Sequence, residues 1–420
     1  MGKVILAKNV VLDGEIGIAR PNDNQIVFGS TGSGKSLSTL IPSICHMKDD
    51  SFIGTFAKSS IVSKAVSFFK KRGYETYVWN LANPSKGDCL PDPLAYVKSD
   101  DDVEELARQI VYSNPQSAIS TKVDPYWHES AQGLLVGLMY YVFMTEAHPC
   151  MKQVINLFYN LQISERGKGI TTTLDDKIAR LEKRVPDCVA VRKLRAFLQL
   201  PYSTASCVRD DLEKTIQNTF PISVQTSMND KASVNFKDVA TERTAIFIIT
   251  SPVRATQYIF SNLLFSIAIR ELMEYAEKCE DYHLPRHVKL LFDDFSCGFK
   301  IEGYERTIST FRAAGISAMH LCQSLSQLDA TYGSEGSTTI LDNCSTMVYL
   351  PGGINEKTCS YVSRILNLPL EDVMFMPLGN AVVIQSGQKP IIAPRYNTLD
   401  DPLYQELVAC DDERNSQRTA

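Results

Sequence analysis

The sequence predicts an α/β fold in which a mostly parallel, doubly wound sheet carries an inserted all-helical domain. Short apolar segments rich in β-branched and aromatic residues recur along the chain, and helical periodicities lie between several of them. Residues 88–224 instead contain few strand-like runs and several helical ones. With 420 residues, of which 44% are hydrophobic, the chain is long for one compact core, so a large domain with a second, inserted one is expected.

Eight segments are predicted strands of the main sheet. Each is short and apolar, as expected for strands that are buried on both faces of a parallel sheet. They are Gln25 to Phe28, Ser51 to Phe56, Glu75 to Asn80, Thr244 to Thr250, Val288 to Asp293, Ile316 to Leu321, Thr346 to Leu350 and Ala381 to Gln385. Ahead of them, Lys3 to Ile18 alternates weakly and predicts an edge strand or a hairpin. The pattern from Thr256 to Lys278 predicts a crossover helix.

The helical insert shows a series of periodicities that Pro and Gly residues separate. They are Asp101 to Tyr112, Tyr126 to Thr145, Lys152 to Gln162, Leu174 to Arg184, Val189 to Leu200 and Ser203 to Phe220. The longest apolar stretch of the chain, Ala131 to Met144, lies here and is too short to span a bilayer. It predicts a buried helix in a soluble chain.

Charge and cysteine content exclude several classes of protein. The net charge of −5 gives no global basic field, so nucleic acid must be bound by local patches such as a channel lining. The eleven cysteines include no C-x-x-C pair and no zinc-ligand spacing. They are therefore interpreted as reduced thiols of a cytosolic protein.

One segment matches the phosphate-binding pattern G-x-x-x-x-G-K-[ST] in full. It reads Gly29, Ser30, Thr31, Gly32, Ser33, Gly34, Lys35, Ser36. A predicted strand precedes it and the helical run Leu37 to Cys45 follows, which argues against a Gly/Ser-rich loop that matches by chance. Glycines let backbone N–H groups turn toward the phosphates of ATP, and the helix presents its positive end to them. Lys35 is expected to reach the β- and γ-phosphates, and the Ser36 hydroxyl to bind Mg²⁺.

A phosphate loop of this kind needs a second acidic element, and the strand that begins at Val288 ends in two carboxylates. Asp293 is expected to hold Mg²⁺ directly or through water, and Asp294 to orient or activate the attacking water. The alternative is a capping or turn pair at a strand end.

Two further polar residues are candidates for catalysis. Gln323 follows the strand beside the acidic one and is expected to sense the γ-phosphate, the alternative being an exposed loop amide. Arg306 and Arg312 lie between these two strands. Arg312 is a candidate arginine finger that acts on the site of a neighbouring subunit, the alternative being a surface arginine.

Several of these segments together resemble the type IV coupling protein family, the ATPases of bacterial conjugation and type IV secretion. The resemblance runs from about Gln25 to about Gly387. It is carried by Ile41-Pro-Ser, Asp124-Pro-Tyr-Trp-His-Glu129, the acidic strand and, most specifically, Gln323-Ser-Leu-Ser-Gln327-Leu-Asp-Ala-Thr-Tyr332-Gly. It implies a RecA-like P-loop NTPase domain, an inserted all-alpha domain, a homo-hexameric ring, and ATP-driven coupling of a relaxase–DNA substrate to a secretion channel.

The predicted organisation follows from both lines of reasoning. Residues 1–87 are the first part of the nucleotide-binding domain, 88–224 the all-alpha insert, 225–400 the second part with the acidic and sensor strands, and 401–420 a polar, frayed tail. The resemblance places the protein in the bacterial cytoplasm at the inner face of the membrane. In the insert, basic residues between Asp175 and Phe197 predict either a contact with DNA or an acidic partner, or a solvated helix surface.

The chain departs from the family pattern in three places. Thr55-Phe-Ala-Lys58-Ser-Ser stands where members usually carry Asp-Pro-Lys-Gly-Glu, which leaves the role of that loop open. Asp294 replaces the usual Glu, so hydrolysis is expected to be slower or to use a bridging water. Typical members begin with transmembrane helices, so this chain is interpreted as a relative without them, a shortened form, or a protein that docks on a membrane subunit. Two other functions remain: another hexameric DNA-translocating ATPase, or a nucleotide-binding scaffold with little hydrolysis.

Overall fold

A computed structural model gives the structure of the protein and describes residues 2–12, 21–112, 125–167, 169–229, 234–251, 253–295 and 300–410. Asp124, the end of the predicted hairpin at residues 13–18, and the last ten residues of the predicted tail lie outside the described residues.

The described strands form one large sheet and three two-stranded ones. They are β1 (Val4–Ala7), β2 (Val10–Leu12), β3 (Gln25–Gly29), β4 (Ser51–Phe56), β5 (Glu75–Asn80), β6 (Leu90–Pro91), β7 (Ile163–Arg166), β8 (Gly169–Thr172), β9 (Met228–Asn229), β10 (Thr244–Ile249), β11 (Val288–Phe292), β12 (Ile316–Cys322), β13 (Thr346–Leu350), β14 (Asn380–Gln385) and β15 (Ile391–Pro394). The large sheet has the order β15-β14-β13-β3-β12-β11-β4-β10-β5. All eight predicted strands are confirmed within a residue at either end.

The α-helices of the described residues fill the connections between these strands. They are α1 (Ile41–Cys45), α2 (Ser59–Lys71), α3 (Asp100–Tyr112), α4 (Pro125–Thr145), α5 (Met151–Tyr159), α6 (Asp175–Arg184), α7 (Val189–Leu198), α8 (Tyr202–Thr219), α9 (Ile222–Gln225), α10 (Phe236–Thr241), α11 (Ala255–Ala276), α12 (Tyr304–Thr307), α13 (Phe311–Ala314), α14 (Leu325–Asp342), α15 (Glu356–Leu366), α16 (Leu370–Met374) and α17 (Pro402–Ala409).

Two hydrophobic clusters cover the two faces of the large sheet, because successive side chains of a strand point to opposite faces. On β3, Ile26 and Phe28 face a cluster shared with α11 and the helical insert, whereas Val27 faces a cluster shared with β1, α1, α2 and α17. Burial on both faces explains why these strands are apolar throughout. The sheet is parallel except at one edge, where β14 pairs antiparallel with β13 and with β15. The Ala381 to Gln385 strand is thus antiparallel, and β15 was not predicted.

The insert leaves the sheet after β5 and returns to it at β10, which pairs with β5. All six helices predicted for it are present as α3 to α8. A hairpin of β7 and β8 also lies there, so the description "all-alpha" is too strict. β6 and β9 pair where the chain leaves and re-enters the sheet domain. The division at residues 88 and 224 remains a prediction.

The prediction of a frayed tail from residue 401 is wrong for α17. This helix packs on α1 and α2, and its apolar face joins the cluster that contains Leu407. Lys64 donates to the carbonyl oxygen of Val408 at 2.8 Å. A short helix that buries one apolar face in this way is stabilised by packing rather than by its own propensity.

No described helix is long and apolar enough to cross a membrane. Within the same residues the cysteines are all free thiols, and no cluster of His, Cys, Asp and Glu has the arrangement of a metal site.

Candidate nucleotide-binding site

The topology of the sheet brings the predicted site residues to one edge. β3 lies between β12 and β13, and Phe28 is level with Cys322 of β12. β11 follows β12, and all these strands are parallel. The loops after β3, β11 and β12 therefore leave the same carboxyl edge, where parallel α/β sheets bind their ligands.

The phosphate loop has the backbone that its glycines predict. Gly32 and Gly34 have φ of 82° and 86°, values that side chains disfavour. A Cβ on Gly29 would lie 2.4 Å from the Ser33 hydroxyl oxygen, so a larger residue there would require the Ser33 side chain to move. The loop closes through a hydrogen bond from the Ser33 amide to the Ser30 carbonyl at 3.1 Å. It leads into a π-helical turn, Ser36–Leu40, that continues as α1.

Lys35 is buried and folds back over the loop. Its Nζ donates to the carbonyl oxygens of Gly29 at 2.7 Å and Ser30 at 3.3 Å. These contacts hold the ammonium group inside the loop that the sequence predicts to bind phosphates. Thr31 and Gly32 lie at the exposed tip of the loop.

The phosphate loop and the acidic strand meet directly. The Ser36 hydroxyl donates to Asp293 Oδ1 at 2.7 Å, although the two residues are far apart in sequence. The backbone amide of Asp293 donates to Thr55 Oγ1 at 2.9 Å, so β4 helps to fix the position of the carboxylate. The two predicted magnesium ligands therefore lie side by side.

The electrostatics of this corner favour a bound cation. Burial and the charge of Asp294 raise the pKa of Asp293 to about 6, while Ser36, Lys35 and Lys58 act in the opposite direction. A cation between these oxygens would relieve both the burial of charge and the repulsion between the two carboxylates. Hydroxyl and carboxylate oxygens are also the ligands that Mg²⁺ prefers, so the residues present fit the ion.

Asp294 follows Asp293 with φ of 59°, in the left-handed region. Aspartate tolerates this conformation better than most residues because its short polar side chain can bond locally. The side chain of Asp294 lies close enough to raise the pKa of Asp293. Its assignment to the attacking water remains a prediction.

Gln323 lies at the same edge as the phosphate loop. It follows Cys322, the partner of Phe28, so its backbone is level with the start of the loop. Its Oε1 accepts a hydrogen bond from Gln327 Nε2 at 3.3 Å, and Ser324 caps the first turn of α14. This position is compatible with sensing the γ-phosphate, which stays a prediction.

Arg312 is the site residue that the structure separates from the rest. It is exposed on α13, just before β12 begins at the amino edge of the sheet. The seven residues of β12 put it more than about 20 Å from the phosphate loop of its own chain. Arg312 therefore does not reach the nucleotide site of its own chain, and its role as an arginine finger for a neighbouring subunit remains a prediction. Arg306 is also exposed, beside a cavity of about 390 Å³ that α3, α11 and α12 line away from the loop.

Sequence reasoning missed two contacts with the site. Thr55 positions Asp293, although the sequence indicates only a buried strand residue there. Arg395, which directly follows β15, donates from Nη1 to the Ser33 carbonyl oxygen at 2.5 Å. No motif marks either residue.

The fold and this corner define a RecA-like P-loop NTPase. Residues 5–366 match the family described as type IV secretory system conjugative DNA transfer, and the chain belongs to that family. This confirms the resemblance inferred from the sequence.

Solved structures of similar fold include a conjugative coupling protein and VirB4. The bacterial conjugative coupling protein TrwBdeltaN70, in complex with sulphate, has a TM-score of 0.69 at 16% identity over 96% of both chains. TrwB in complex with ADP and Mg²⁺ has a TM-score of 0.67 at 15% identity, again over 96% of both chains. VirB4 of Thermoanaerobacter pseudethanolicus has a TM-score of 0.58 at 12% identity, over 96% of this chain and 98% of the other. A comparison with curated proteins gave no match.

Proposed function

We propose that this chain binds ATP with Mg²⁺ and hydrolyses it to drive DNA, or a relaxase–DNA complex, into a type IV secretion channel. Ser36 and Asp293 hold the metal, Lys35 and the loop amides hold the triphosphate, Asp294 positions water and Gln323 senses the γ-phosphate. When bound, Mg²⁺ would neutralise charge on the phosphates as the terminal bond breaks.

One observation carries this proposal: the 2.7 Å hydrogen bond between Ser36 and Asp293. It joins the phosphate loop to the acidic strand, as one magnesium–nucleotide complex requires. TrwB, which has the same fold, has been solved with ADP and Mg²⁺ and with an ATP analogue. Family membership favours conjugative transfer over other DNA-translocating ATPases.

The assembly we propose is a homo-hexameric ring at the inner face of the bacterial membrane, docked on a membrane subunit and on channel components. In such a ring Arg312 would act as an arginine finger only if the surface around it lies at the nucleotide site of the next subunit.

The insert gives weaker support for a DNA contact. Lys177, Arg180, Lys183 and Arg192 are exposed on α6 and α7. However, Lys193 pairs with Glu104 at 3.0 Å and Arg195 with Glu182 at 2.5 Å. Mixed charge of this kind is ordinary on exposed helices, which favours the solvated-surface interpretation for this part of the insert.

Steady-state phosphate release, with and without single-stranded DNA, tests the motor. We expect the wild type to release phosphate and Lys35→Ala to lose nearly all of the rate, since the ammonium group stabilises the transferring phosphate. If a ring forms, specific activity should rise with protein concentration in a dilution series.

One result would contradict the motor. If the wild-type rate equals that of Lys35→Ala under both conditions while ATP still binds, the chain is a nucleotide-binding scaffold. The replacement of the family's usual Glu by Asp294 is the observation that favours this second candidate.

A further inference from the structure

We propose that Arg395 is a positioning residue of the nucleotide site, which holds the phosphate loop from its outer side and adds a positive charge beside the polyphosphate. The inference rests on the proposed function, since it assumes that the loop binds a nucleotide. Arg395 directly follows β15, the last described strand, and is far from the loop in sequence, so no motif predicts the contact.

The contact is made to one particular peptide group of the loop. Arg395 Nη1 donates to the Ser33 carbonyl oxygen, and that carbonyl shares its peptide group with the Gly34 amide. In a phosphate loop the amides turn toward the anion, so the guanidinium approaches from the side away from the phosphates. A charged donor on the carbonyl polarises the peptide group and makes the Gly34 amide a stronger donor.

Gly34 provides the space for this arginine. A Cβ at Gly34 would lie 3.0 Å from Arg395 Nη1, closer than side chains normally pack. The glycine therefore serves two purposes: it permits the left-handed turn of the loop, and it leaves room for the guanidinium group.

The backbone around Arg395 is fixed at several points. Its amide donates to the Gly379 carbonyl oxygen at 2.7 Å, which anchors it to the residue just before the start of β14. Three residues later, the Thr398 hydroxyl donates to the Leu37 carbonyl oxygen, just beyond the loop. The segment that carries Arg395 thus lies along both the loop and the turn that follows it.

The charge of Arg395 is available to a ligand. Within the described part of the chain it forms no ion pair with a carboxylate, and it is only half-buried. A neutral donor would suffice to hold a carbonyl oxygen. An arginine whose charge no carboxylate compensates, held against a phosphate loop, indicates that its counterion is the polyphosphate.

Binding of a fluorescent ATP analogue with Mg²⁺, and of the matching ADP and AMP analogues, tests the inference. We expect Arg395→Gln and Arg395→Ala to weaken ATP binding by about tenfold and Arg395→Lys by less, since lysine keeps the charge. The loss should grow from AMP to ATP, because the attraction that the guanidinium charge exerts across the loop increases with the charge of the polyphosphate. Millimolar guanidinium should restore part of the affinity of Arg395→Ala.

Two variants serve as matched controls. Arg364→Gln removes an exposed arginine on α15 and should leave binding unchanged. Thr398→Val removes the neighbouring contact with Leu37 without removing a charge. Any loss of affinity in Thr398→Val should be the same for the AMP, ADP and ATP analogues.

The outcomes separate this inference from the proposed function. If the wild type does not bind the ATP analogue, both fail. If it binds and Arg395→Gln binds equally well, only the role of Arg395 fails. An equal loss of affinity for the AMP and ATP analogues, without rescue by guanidinium, would also overturn the inference, because the loss of a purely structural contact would have that effect.

Discussion

At the scale of single residues, the carboxylate of Asp293 is a charged group that the proposed function needs and that lowers the stability of the fold. Asp293 is placed where burial and Asp294 raise its pKa from the ordinary 3.8 to about 6. At neutral pH the ionised carboxylate is therefore kept in surroundings that favour its protonated form. A group with a raised pKa stabilises the fold below its ordinary pKa, and this stabilisation is lost as the pH rises through the folded value.

We expect Asp293→Asn to raise the free energy of unfolding at pH 7.5, without nucleotide or Mg²⁺, by about 1–2 kcal/mol. The amide keeps an acceptor for the Ser36 hydroxyl but carries no charge. The gain should shrink toward pH 4, where the wild-type carboxyl group is protonated. Urea unfolding at the two pH values measures it.

Asp372→Asn, an exposed substitution on α16, is the control for the loss of one negative charge. A variant Asp293→Asn that is less stable than the wild type at pH 7.5, or a gain of equal size at pH 4, would contradict this account.

Much of the site could be predicted at this scale because its residues stand in local patterns. The loop from Gly29 to Ser36 and the pair Asp293 and Asp294 each occur beside an apolar strand, and parallel pairing brings such strand ends together. The contacts of Thr55 and Arg395 could not be predicted, since they depend on which strands are neighbours and on side-chain directions that no spacing encodes.

At the scale of elements, the segment from β15 to α17 ties the carboxyl end of the chain to the helix that follows the phosphate loop. Asp401 is buried and caps α17 through the Leu403 amide at 2.9 Å. It also accepts hydrogen bonds from the His46 ring and the Tyr396 hydroxyl, both at 2.9 Å. Burial alone would raise the pKa of Asp401, but these hydrogen bonds outweigh it and lower the pKa.

Asp401→Ala should lower the free energy of unfolding at pH 7 by about 2–4 kcal/mol, since it removes a helix cap and leaves three partly buried donors without their acceptor. Asp401→Asn should lose less, because an amide oxygen still caps the helix. The stabilisation from a lowered carboxylate pKa is present above about pH 4 and is lost in more acidic solution. The difference in free energy of unfolding between each variant and the wild type should therefore become smaller there.

Asp400→Ala changes the exposed neighbour and should cost less than about 0.5 kcal/mol. Equal effects of the two alanine substitutions in thermal or urea unfolding would show that the segment is not anchored through Asp401.

The elements themselves were predicted where the pattern was long or fully apolar. The helices of the insert and the eight buried strands fall in this class. β15 (Ile391–Pro394) is exposed at the sheet edge and short, and the β7–β8 hairpin is polar, so neither has a buried pattern. α17 follows polar residues. Its one apolar face is buried only through packing on α1 and α2, which the local sequence does not indicate.

At the scale of the whole molecule, the sheet works as a frame that brings distant parts of the chain to one edge. The order β13-β3-β12-β11-β4 sets the phosphate loop between strands that come much later in the sequence. The insert lies on one face, and α1, α2 and α17 lie on the other. Arg312 lies at the opposite edge, away from the phosphate loop of its own chain.

The central claim is that Ser36 and Asp293 bind one magnesium ion together with the nucleotide. A double-mutant cycle tests this claim most directly. The measured quantity is the increase in affinity for an ATP analogue when Mg²⁺ is added. The variants are Ser36→Ala, Asp293→Asn and the two combined, measured with and without Mg²⁺. We expect each single substitution to remove about tenfold or more of the gain, and the double variant to lose no more than the worse single one. Losses that add in free energy would show that the two residues act at separate places, and would contradict the account.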